Sequence, residues 1–359
     1  MGDQTGRPQF YGEVMKNILL ILVGGTICTK LNMEGSLTVS DKAGLWLAEN
    51  FYNNNPQYKE LVNFDLTENL LILSENMTID KWNIIKDVYI SRTKEKEYDG
   101  VIFVHGTDTL AYSASLFSML LSNVHFPVFF VSSNARLDRE NSNGNDNFRC
   151  AVECIYKGIE PNVYVAYKNI SDNQMYIHLG SRIKQCENYS EDFFSKGAVK
   201  YSENVIENIK RQYPSGKRKS FINIEDITLK ENVLMINPYV GMTYDAYNYS
   251  LFKAVLHGSF HSGTACTEKN TYSENYGKNS ILYMIDKCNS FGVDIYISPS
   301  TLNGEIYETV GIINKHCKTT KFMYGCTAET AYTKLLIAYS LDINREKFIE
   351  TELNFEITE

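Results

Sequence analysis

The strongest indication of the fold class is the segment Val101-Ile102-Phe103-Val104-His105-Gly106-Thr107-Asp108-Thr109. An apolar run typical of a buried strand ends in small and polar residues, and a helical spacing of apolar residues begins at Leu110. The stretch therefore predicts a strand, a tight turn and a helix, with hydroxyls and a carboxylate at the carboxyl end of the strand. Open α/β sheets bind ligands at that edge, although Thr and Asp here are also common helix N-caps.

A second pattern of the same kind lies near the N-terminus. Residues 18–23 are continuously apolar and run into Gly24-Gly25-Thr26-Ile27. Two consecutive glycines predict a turn too tight for side chains, with Thr26 presented at its tip. Two strands that end in Gly-Thr predict two threonine hydroxyls that converge on one pocket.

The bulk properties indicate a globular protein that is long enough for two domains. The chain has 359 residues, of which 43% are hydrophobic and 22% are charged, and its net charge is -8. Nucleic-acid binding relies on clustered cations, so this charge argues against a nucleic-acid partner. The longest apolar run, 18–23, is far shorter than a membrane span of about 20 residues, and the polar stretch before it does not resemble a signal peptide.

The cysteines and histidines predict no metal site. Eight cysteines are scattered without the spacing of metal ligands, which is typical of small buried side chains in a reducing compartment, so we expect a cytoplasmic protein. The six histidines form no ligand pattern, and we predict a structural role for His105 at its strand end. Gly24-Gly25 lacks the three-glycine fingerprint of a dinucleotide fold, so no cofactor is expected.

The order of apolar runs predicts an α/β protein with two domains. Buried-strand candidates are 18–23, 70–74, 100–104, 127–132 and 162–167, with helical spacing between them. We predict a larger N-terminal doubly wound sheet domain (1–204), a polar linker (205–230) and a smaller C-terminal α/β domain (231–359). Strands of this last domain are expected at 233–236, 253–256 and 293–297, and a final helix from about Thr327 to Ser340.

The two strand ends carry the groups that amide hydrolysis requires. Such a reaction needs a nucleophile, a group that removes its proton and donors for the oxyanion. Asp108 beside Thr107, with a lysine nearby, could form a proton-transfer unit. The backbone N–H groups of Gly24-Gly25-Thr26 are candidate oxyanion donors.

Gly-Gly-Thr-Ile followed downstream by His-Gly-Thr-Asp-Thr resembles the signature pair of the bacterial-type L-asparaginase/glutaminase family. The resemblance implies that Thr26 is the nucleophile and that Thr107 is a second catalytic threonine in a Thr-Asp-Lys unit. Asp108 would belong to this unit and would also contact the α-ammonium group of the substrate. The resemblance extends to the C-terminal half, where 237–243, 304–308 and 323–329 are similar to family segments.

The same resemblance implies a substrate-binding set around the two turns. Ser74-Glu75, before a helix, would bind the α-carboxylate through Ser74 and the α-amino group through Glu75, beside Gly25 and Gly106. The residues themselves place Ser74 at the end of the predicted strand 70–74 and so at the same sheet edge. Simple helix capping by Ser74 is the alternative interpretation.

Three departures from the family pattern affect this assignment. The loop that usually carries a tyrosine near Gly35 reads Ser36-Leu37-Thr38, and the Gly-x-Gly-Asn turn of the second domain reads His261-Ser262-Gly263-Thr264. Thr264 could still bind substrate, with fewer hydrogen bonds than an asparagine amide.

The third departure concerns the catalytic lysine. The Gly-x-Arg-x-x-Lys run of the family reads Gly180-Ser181-Arg182-Ile183-Lys184-Gln185, with Lys184 one residue early. In an extended segment a shift of one residue points the side chain to the opposite face, where Lys184 would be a solvated surface residue. We nevertheless predict a bend that points Lys184 inward, because Asp108 in a closed pocket would otherwise be a buried carboxylate without a cation.

The sequence therefore predicts an enzyme that cleaves the side-chain amide of L-asparagine, or of L-glutamine, through a threonine acyl-enzyme. The partner is a small amino-acid amide, no metal or cofactor is needed, and the resemblance implies a homodimer or homotetramer. One alternative is a catalytically weak relative that binds amino acids. Another is the asparaginase-like subunit of a tRNA-dependent amidotransferase, which the acidic charge and the early position of Gly24-Gly25-Thr26 disfavour.

Overall fold

The computed structural model describes residues 15–31, 37–40, 42–269, 276–300, 307–317 and 319–358. The N-terminal half contains helices that alternate with strands. Its strands are β1 (Lys16–Leu22), β2 (Thr29–Leu31), β3 (Leu37–Val39), β4 (Val62–Leu66), β5 (Gly100–Val104), β6 (Val128–Val131), β7 (Val163–Lys168), β8 (Met175–Leu179), β9 (Ile183–Lys184), β10 (Phe194–Ser195) and β11 (Val199–Lys200). Its helices are α1 (Ala43–Asn54), α2 (Ile79–Glu95), α3 (Leu110–Leu120), α4 (Gly144–Tyr156) and α5 (Val205–Gln212).

Seven of these strands form one sheet in the order β11-β8-β7-β6-β5-β1-β4. The five strands from β7 to β4 run parallel, while β8 and β11 pair antiparallel. The central strands are buried on both faces, which explains their continuous apolar sequence. Because β1 and β5 are parallel neighbours with Leu22 opposite Val104, the turns that follow them lie at the same edge of the sheet.

The strand predicted at 70–74 is wrong, and the strand in this region is β4. Leu71 has a positive φ of 56°, a conformation that interrupts an extended strand. Only Ile72 forms a bridge, to Gly24, and Ser74 begins a short 3₁₀ turn. The segment still runs along the end of β1, because the N–H groups of Leu70 and Ile72 donate to the carbonyl groups of Leu22 and Val23. Ser74 therefore reaches the predicted edge as part of a loop.

The C-terminal half forms a second sheet with parallel strands in the order β12-β13-β14-β15. Its strands are β12 (Val233–Ile236), β13 (Ala254–His257), β14 (Asp294–Ser300) and β15 (Lys321–Tyr324), and its helices are α6 (Ile281–Phe291), α7 (Glu308–His316), α8 (Ala328–Ser340) and α9 (Arg345–Glu350). The predicted final helix corresponds to α8, which Thr327 caps by accepting a hydrogen bond from the Thr330 N–H. The α/β fold class with a larger and a smaller sheet is confirmed.

The two sheets are joined by more than the linker. Helices α3 and α8 pack together, and their Ser115 and Thr330 hydroxyls lie 3.0 Å apart in the buried contact. The chain then returns to the first sheet, where the Asn354 side chain donates to Ser118 O at 3.1 Å and to Asn162 Oδ1 at 2.7 Å. The domain boundaries at 204 and 230 stay a prediction, and the predicted linker begins with helix α5.

A buried ion pair fixes this returning tail. Lys334 Nζ lies 2.6 Å from Glu356 Oε1, and both side chains are at most 2% exposed. The Glu356 carboxylate also accepts the N–H groups of Leu353 and Asn354, so its charge is well compensated. Within the described ranges, no helix is both long and apolar enough to cross a membrane. All eight cysteines are free thiols, and six of them are buried.

Candidate active site

Two glycines bring the predicted turns into direct contact. A Cβ atom on Gly25 would lie 2.2 Å from Gly106 Cα, and Gly25 adopts φ 83° and ψ -177°, a region that is essentially restricted to glycine. A Cβ atom on Gly106 would lie 2.4 Å from Ser74 Oγ. The turns of Thr26 and Thr107 and the loop of Ser74 are thus packed backbone against backbone, and no larger residue fits between them.

Thr26 lies at the tip of the first turn. It begins a 3₁₀ turn, Thr26–Cys28, and is partly exposed. Its carbonyl oxygen accepts a hydrogen bond from Thr29 Oγ1 at 2.8 Å, which fixes the backbone. Its hydroxyl forms no hydrogen bond with any residue that the structure describes, so this group is available to a ligand.

Hydrogen bonds tie the Ser74 loop to the second turn. Buried Ser74 donates through Oγ to Asp108 Oδ2 at 2.8 Å, and the same oxygen accepts from the Asp108 N–H at 3.3 Å. Thr109 Oγ1 donates to the Ser74 carbonyl at 3.0 Å. Asp108 and the adjacent Glu75 are both exposed, so two carboxylates at this edge are open to a cationic group.

His105 lies beneath this edge and supports it. Its Nδ1 lies 2.7 Å from the Gly106 carbonyl oxygen, and its Nε2 lies 3.0 Å from Ser113 Oγ, which in turn accepts the Trp82 indole N–H. Complete burial lowers the pKa of His105 to about 4, so the ring is neutral near pH 7. These contacts fit the structural role that the sequence suggested.

The prediction that Lys184 points inward is wrong. Lys184 is paired with exposed Phe194 in the β9–β10 ladder, and its side chain faces solvent. The argument for a bend assumed a buried Asp108, but that carboxylate is exposed and water can solvate it. No bulge is therefore needed, and the alternation of a strand sends Lys184 and Gln185 to opposite faces.

Gln185 occupies the side of the pocket where the resemblance expects a lysine. Its Nε2 donates to the Thr107 carbonyl oxygen at 2.7 Å, and its Oε1 accepts the Ala111 N–H at 3.2 Å. The neutral carboxamide thus bridges the first turn of α3. Its backbone N–H donates to Glu329 Oε1 at 2.8 Å. Glu329 is only 7% exposed, and its other oxygen has no partner among the described residues.

A cavity of about 560 Å³ opens between Thr107 and Asp108 on one side and two loops and strand β7 on the other. The loops contribute Asn134 and the segment 185–191, and β7 contributes Tyr167. The described lining includes three carboxylates and no lysine or arginine, so the cavity favours a ligand with a cationic group.

The sequence analysis did not identify the loop residues of this cavity. Asn134 Nδ2 donates to Glu191 Oε2 at 3.2 Å and joins the two loops. Among the described lining residues, Tyr167 and Tyr189 are the tyrosines, which limits the candidates for the missing loop tyrosine. The available signal was the polar run 136–144, which is typical of a solvated loop and begins two residues after Asn134.

Thr264 is not brought to this edge. It lies in a turn after β13, where its hydroxyl is 3.1 Å from Ser262 Oγ and its carbonyl accepts the Phe260 N–H. None of its described contacts reaches Thr26, Thr107 or Asp108. The missing tyrosine position at Gly35 and Ser36, and the family-like segment 304–306, lie outside the described residues. The described residues contain no group of three or more His, Cys, Asp or Glu placed to hold a metal ion.

Comparison with known sequences identifies relatives for a large part of the chain. Residues 17–215 match the family model described as the N-terminal domain of asparaginase. The D subunit of glutamyl-tRNA(Gln) amidotransferase from Archaeoglobus fulgidus is 28% identical over 244 residues, which cover 66% of this chain and 56% of that protein. Its counterpart from Methanosarcina acetivorans is 29% identical over 212 residues, 59% of this chain and 47% of that protein. The chain spans about half the length of these curated relatives.

Comparison with solved structures identifies the same fold. The thermostable L-asparaginase from Thermococcus kodakarensis superposes with a TM-score of 0.72 at 21% identity, covering 96% of this chain and 99% of that one. L-asparaginase I from Vibrio cholerae gives a TM-score of 0.68 at 21% identity over 96% of this chain and all of the other. These likenesses agree in fold with the sequence match, which covers more than half of the chain. The chain therefore belongs to the asparaginase family of amidohydrolases.

Proposed function

We propose that this chain hydrolyses the side-chain amide of a small α-amino acid, L-asparagine or L-glutamine, with Thr26 as the nucleophile. The observation that supports this most strongly is the contact between Gly25 and Gly106, which joins the two threonine turns at one edge. The proposal also rests on the Thr26 hydroxyl, which has no hydrogen-bond partner among the described residues, and on the exposed carboxylates of Glu75 and Asp108 at the same sheet edge.

The substrate is held by its α-amino-acid group. Asp108 and Glu75 are exposed carboxylates that can accept hydrogen bonds from the α-ammonium group. Ser74 Oγ, fixed by Asp108 at 2.8 Å, can turn its hydroxyl toward the α-carboxylate. Gly25 and Gly106 leave room for the substrate to approach the backbone closely.

The reaction proceeds in two displacements. The Thr26 oxygen attacks the amide carbon, the C–N bond breaks, and the Thr26 proton leaves with the departing ammonia. The N–H groups of Gly24 and Gly25 already donate to the carbonyl oxygens of Val104 and Ile72, so the structure does not support them as the predicted oxyanion donors. The N–H group of Thr26 is the candidate donor of this turn for the oxyanion of the intermediate. Water then cleaves the acyl ester, releases the amino-acid product and restores the Thr26 hydroxyl.

We expect slow turnover, because Gln185 stands where a proton-transferring lysine is expected. A neutral carboxamide cannot exchange a proton with Thr107 as an amine could, and its Nε2 is already bonded to the Thr107 carbonyl oxygen. A proton-transfer group contributes about 10²–10⁴-fold to a rate, so the loss of one reduces turnover without removing binding.

A panel of amides with ammonia detection tests this proposal. We expect release from L-asparagine or L-glutamine and none from acetamide, which lacks the α-amino-acid group. The extra methylene of glutamine changes binding by about 1–3 kcal/mol in a fitted pocket, so one of the two should be preferred. Absence of ammonia from every α-amino-acid amide would reject the enzymatic proposal.

The second candidate is a protein that binds amino acids without significant turnover. Gln185 favours it, because the binding carboxylates remain while the expected lysine is replaced. Calorimetry with L-aspartate, the product, separates the candidates when it is run beside the ammonia assay. Binding in the micromolar range with no turnover would support the binding protein.

A third candidate follows from the curated relatives, which are subunits of a glutamyl-tRNA(Gln) amidotransferase. In that role the chain would act with a partner subunit, and its net charge of -8 assigns any tRNA contact mainly to that partner. Without a partner we expect a homodimer or homotetramer in the cytoplasm, with Thr264 near the site of a second copy. Molar mass by light scattering, measured with and without cell extract from the native source, tests both arrangements.

A further inference from the structure

A second cavity, of about 590 Å³, shares no residue with the candidate active site. Among the described residues, its lining includes four cationic side chains, Arg182, Lys196, Arg211 and Lys217, and one carboxylate, Glu352. The local formal charge is therefore strongly positive, although the whole protein carries -8. We name this region the basic cavity.

The four cations come from separate parts of the chain. Arg182 precedes β9, Lys196 lies in the turn between β10 and β11, Arg211 is in the last turn of α5, and Lys217 ends a 3₁₀ turn. None of them forms an ion pair with any residue in the described part of the chain. Because folding brings these charges together without compensating them, the basic cavity favours an anion.

The wall of the cavity is ordered by specific contacts. The Arg182 guanidinium lies over the Tyr213 ring at 5.3 Å, and it donates to the carbonyl groups of Phe355 and Ile357 in the returning tail. Tyr213 also donates to the Gly197 carbonyl at 2.7 Å, next to Lys196. The Arg182 side chain and the turn that bears Lys196 are therefore oriented before any ligand arrives, which lowers the entropy cost of binding.

We propose that the basic cavity binds a small ligand that carries two or three linked phosphate groups. Phosphate oxygens are preferred partners of Arg and Lys, and linked phosphates can contact several cations at once. The volume lies within the range of small-molecule sites. A long nucleic acid fits less well, since its phosphates would extend over a protein surface of net negative charge.

Titration calorimetry with inorganic pyrophosphate and with ADP tests this proposal on the intact chain. We expect wild-type binding at millimolar or lower concentration, and at least tenfold weaker binding for the double variant Lys196→Ala, Lys217→Ala. Both side chains are exposed, so the fold should survive. Glu352→Gln removes the one carboxylate of the lining and should tighten binding by about two- to fivefold.

Lys210→Ala provides the matched control, because Lys210 is exposed on the same helix as Arg211 but lies outside the cavity lining. Its binding should stay within twofold of wild type. Equal weakening by Lys210→Ala, undiminished binding by the double variant, or no binding of either probe would overturn the proposal. Binding of a 12-nucleotide single-stranded RNA without binding of pyrophosphate or ADP would also overturn it.

Discussion

The two walls of the active-site cavity are constrained to very different degrees. On the strand-end wall, Thr107 and Asp108 line the cavity. They belong to a packed group of turns, Gly24–Thr26, 74–76 and 106–109, whose backbones touch at Gly25 and Gly106. The opposite wall is the segment 185–191, in which Tyr189 is fully exposed and has a positive φ of 62°. The first wall has the residue types that ligand binding needs, whereas the second has lost the expected lysine. Under the proposed function, amino-acid binding would therefore be separable from proton transfer.

The difference follows from how each wall is held. A substitution at Gly25 must displace backbone, while a substitution at Gln185 changes a side chain whose partners are a carbonyl oxygen and an N–H group. Backbone contacts tolerate almost no change, and side-chain hydrogen bonds can be exchanged. The following changes test this contrast.

Thr26→Ala should produce the largest effect. Removal of the nucleophilic hydroxyl should reduce ammonia release by roughly 10³-fold, because no other described hydroxyl lies at the tip of this turn. L-aspartate affinity, measured by calorimetry, should stay within threefold. Thr26→Ser keeps a hydroxyl and is the matched control. If Thr26→Ala retained more than a few per cent of turnover, Thr26 would not be the nucleophile.

Gly25→Ala should destabilise the protein by about 3 kcal/mol or more, since its Cβ would clash with the Gly106 backbone at an unfavourable φ. Gly158→Ala is the control. Gly158 also has a positive φ, of 73°, but no atom lies within 4 Å of its Cβ position, so only about 1 kcal/mol of backbone strain should appear. Urea unfolding measures both. Similar losses for the two variants would mean that the close contact has little energetic effect.

Acid should weaken both walls through their buried histidines. His105 lies under the strand-end wall, and His178 contacts Ser195 near the opposite one. Burial lowers the pKa of His105 to about 4 and that of His178 to about 3. The unfolded chain takes up protons below pH 6.5 while the folded rings stay neutral, so stability is present above that pH and is lost as the pH falls towards 4.

Lowering the pH from 7 to 5 should reduce the free energy of unfolding by about 2 kcal/mol for each of the two rings. Urea unfolding of His178→Gln at the two pH values should show a smaller decrease than wild type. His125 is exposed, so His125→Gln should leave the decrease unchanged. An identical decrease in His178→Gln and wild type would contradict the assignment of this ring as neutral.

Gln185→Lys should increase turnover at least tenfold, because it supplies an amine beside the Thr107 carbonyl and near the unpaired oxygen of Glu329. Lys184→Met should leave turnover within twofold, since Lys184 faces solvent. Steady-state ammonia release measures both. A severe loss in Lys184→Met, with no gain in Gln185→Lys, would show that the outward lysine moves inward during catalysis.

Asp108→Asn should weaken L-aspartate binding about fivefold and succinate binding less than twofold. Asparagine can still accept the Ser74 hydrogen bond, so the change mainly removes the charge that the α-ammonium group meets. Succinate lacks that group. Calorimetry with both ligands gives the comparison, and equal weakening would assign Asp108 to the fold alone.

The parts of the fold that the sequence predicts well are those with continuous burial. Strands β1, β5, β6 and β7 are apolar on both faces, and both glycine turns follow directly from their sequences. In edge strand β4, Val-Asn-Phe-Asp-Leu, apolar and polar residues alternate. Its sequence therefore indicates a buried strand less clearly than the apolar run 70–74 does. The positive φ of Leu71 prevents a strand at 70–74, and the residue preferences of leucine do not predict such a conformation.

The site was predictable on one wall only. Strand ends place Thr26, Thr107 and Asp108 by topology, so their proximity follows from the order of parallel strands. Ser74 was predicted at the same edge, but it arrives there in a loop and not at the end of a strand. The orientation of Lys184 depends on the β9–β10 pairing and on the exposure of Asp108, which sequence does not supply. The loop residues around Asn134 and Tyr189 are positioned by long-range contacts and were missed for the same reason.

The returning tail restricts how the molecule can move. A hinge motion that swung the two sheets apart would have to detach Asn354 from Ser118 and Asn162. If the tail instead moved with the first sheet, the buried ion pair of Lys334 and Glu356 would have to break. Breaking a buried ion pair costs about 3–5 kcal/mol. The returning tail is therefore a second connection between the two halves, in addition to the predicted linker. We therefore expect that ligand exchange with solvent requires movement of the loops that line the cavity, and not separation of the two sheets.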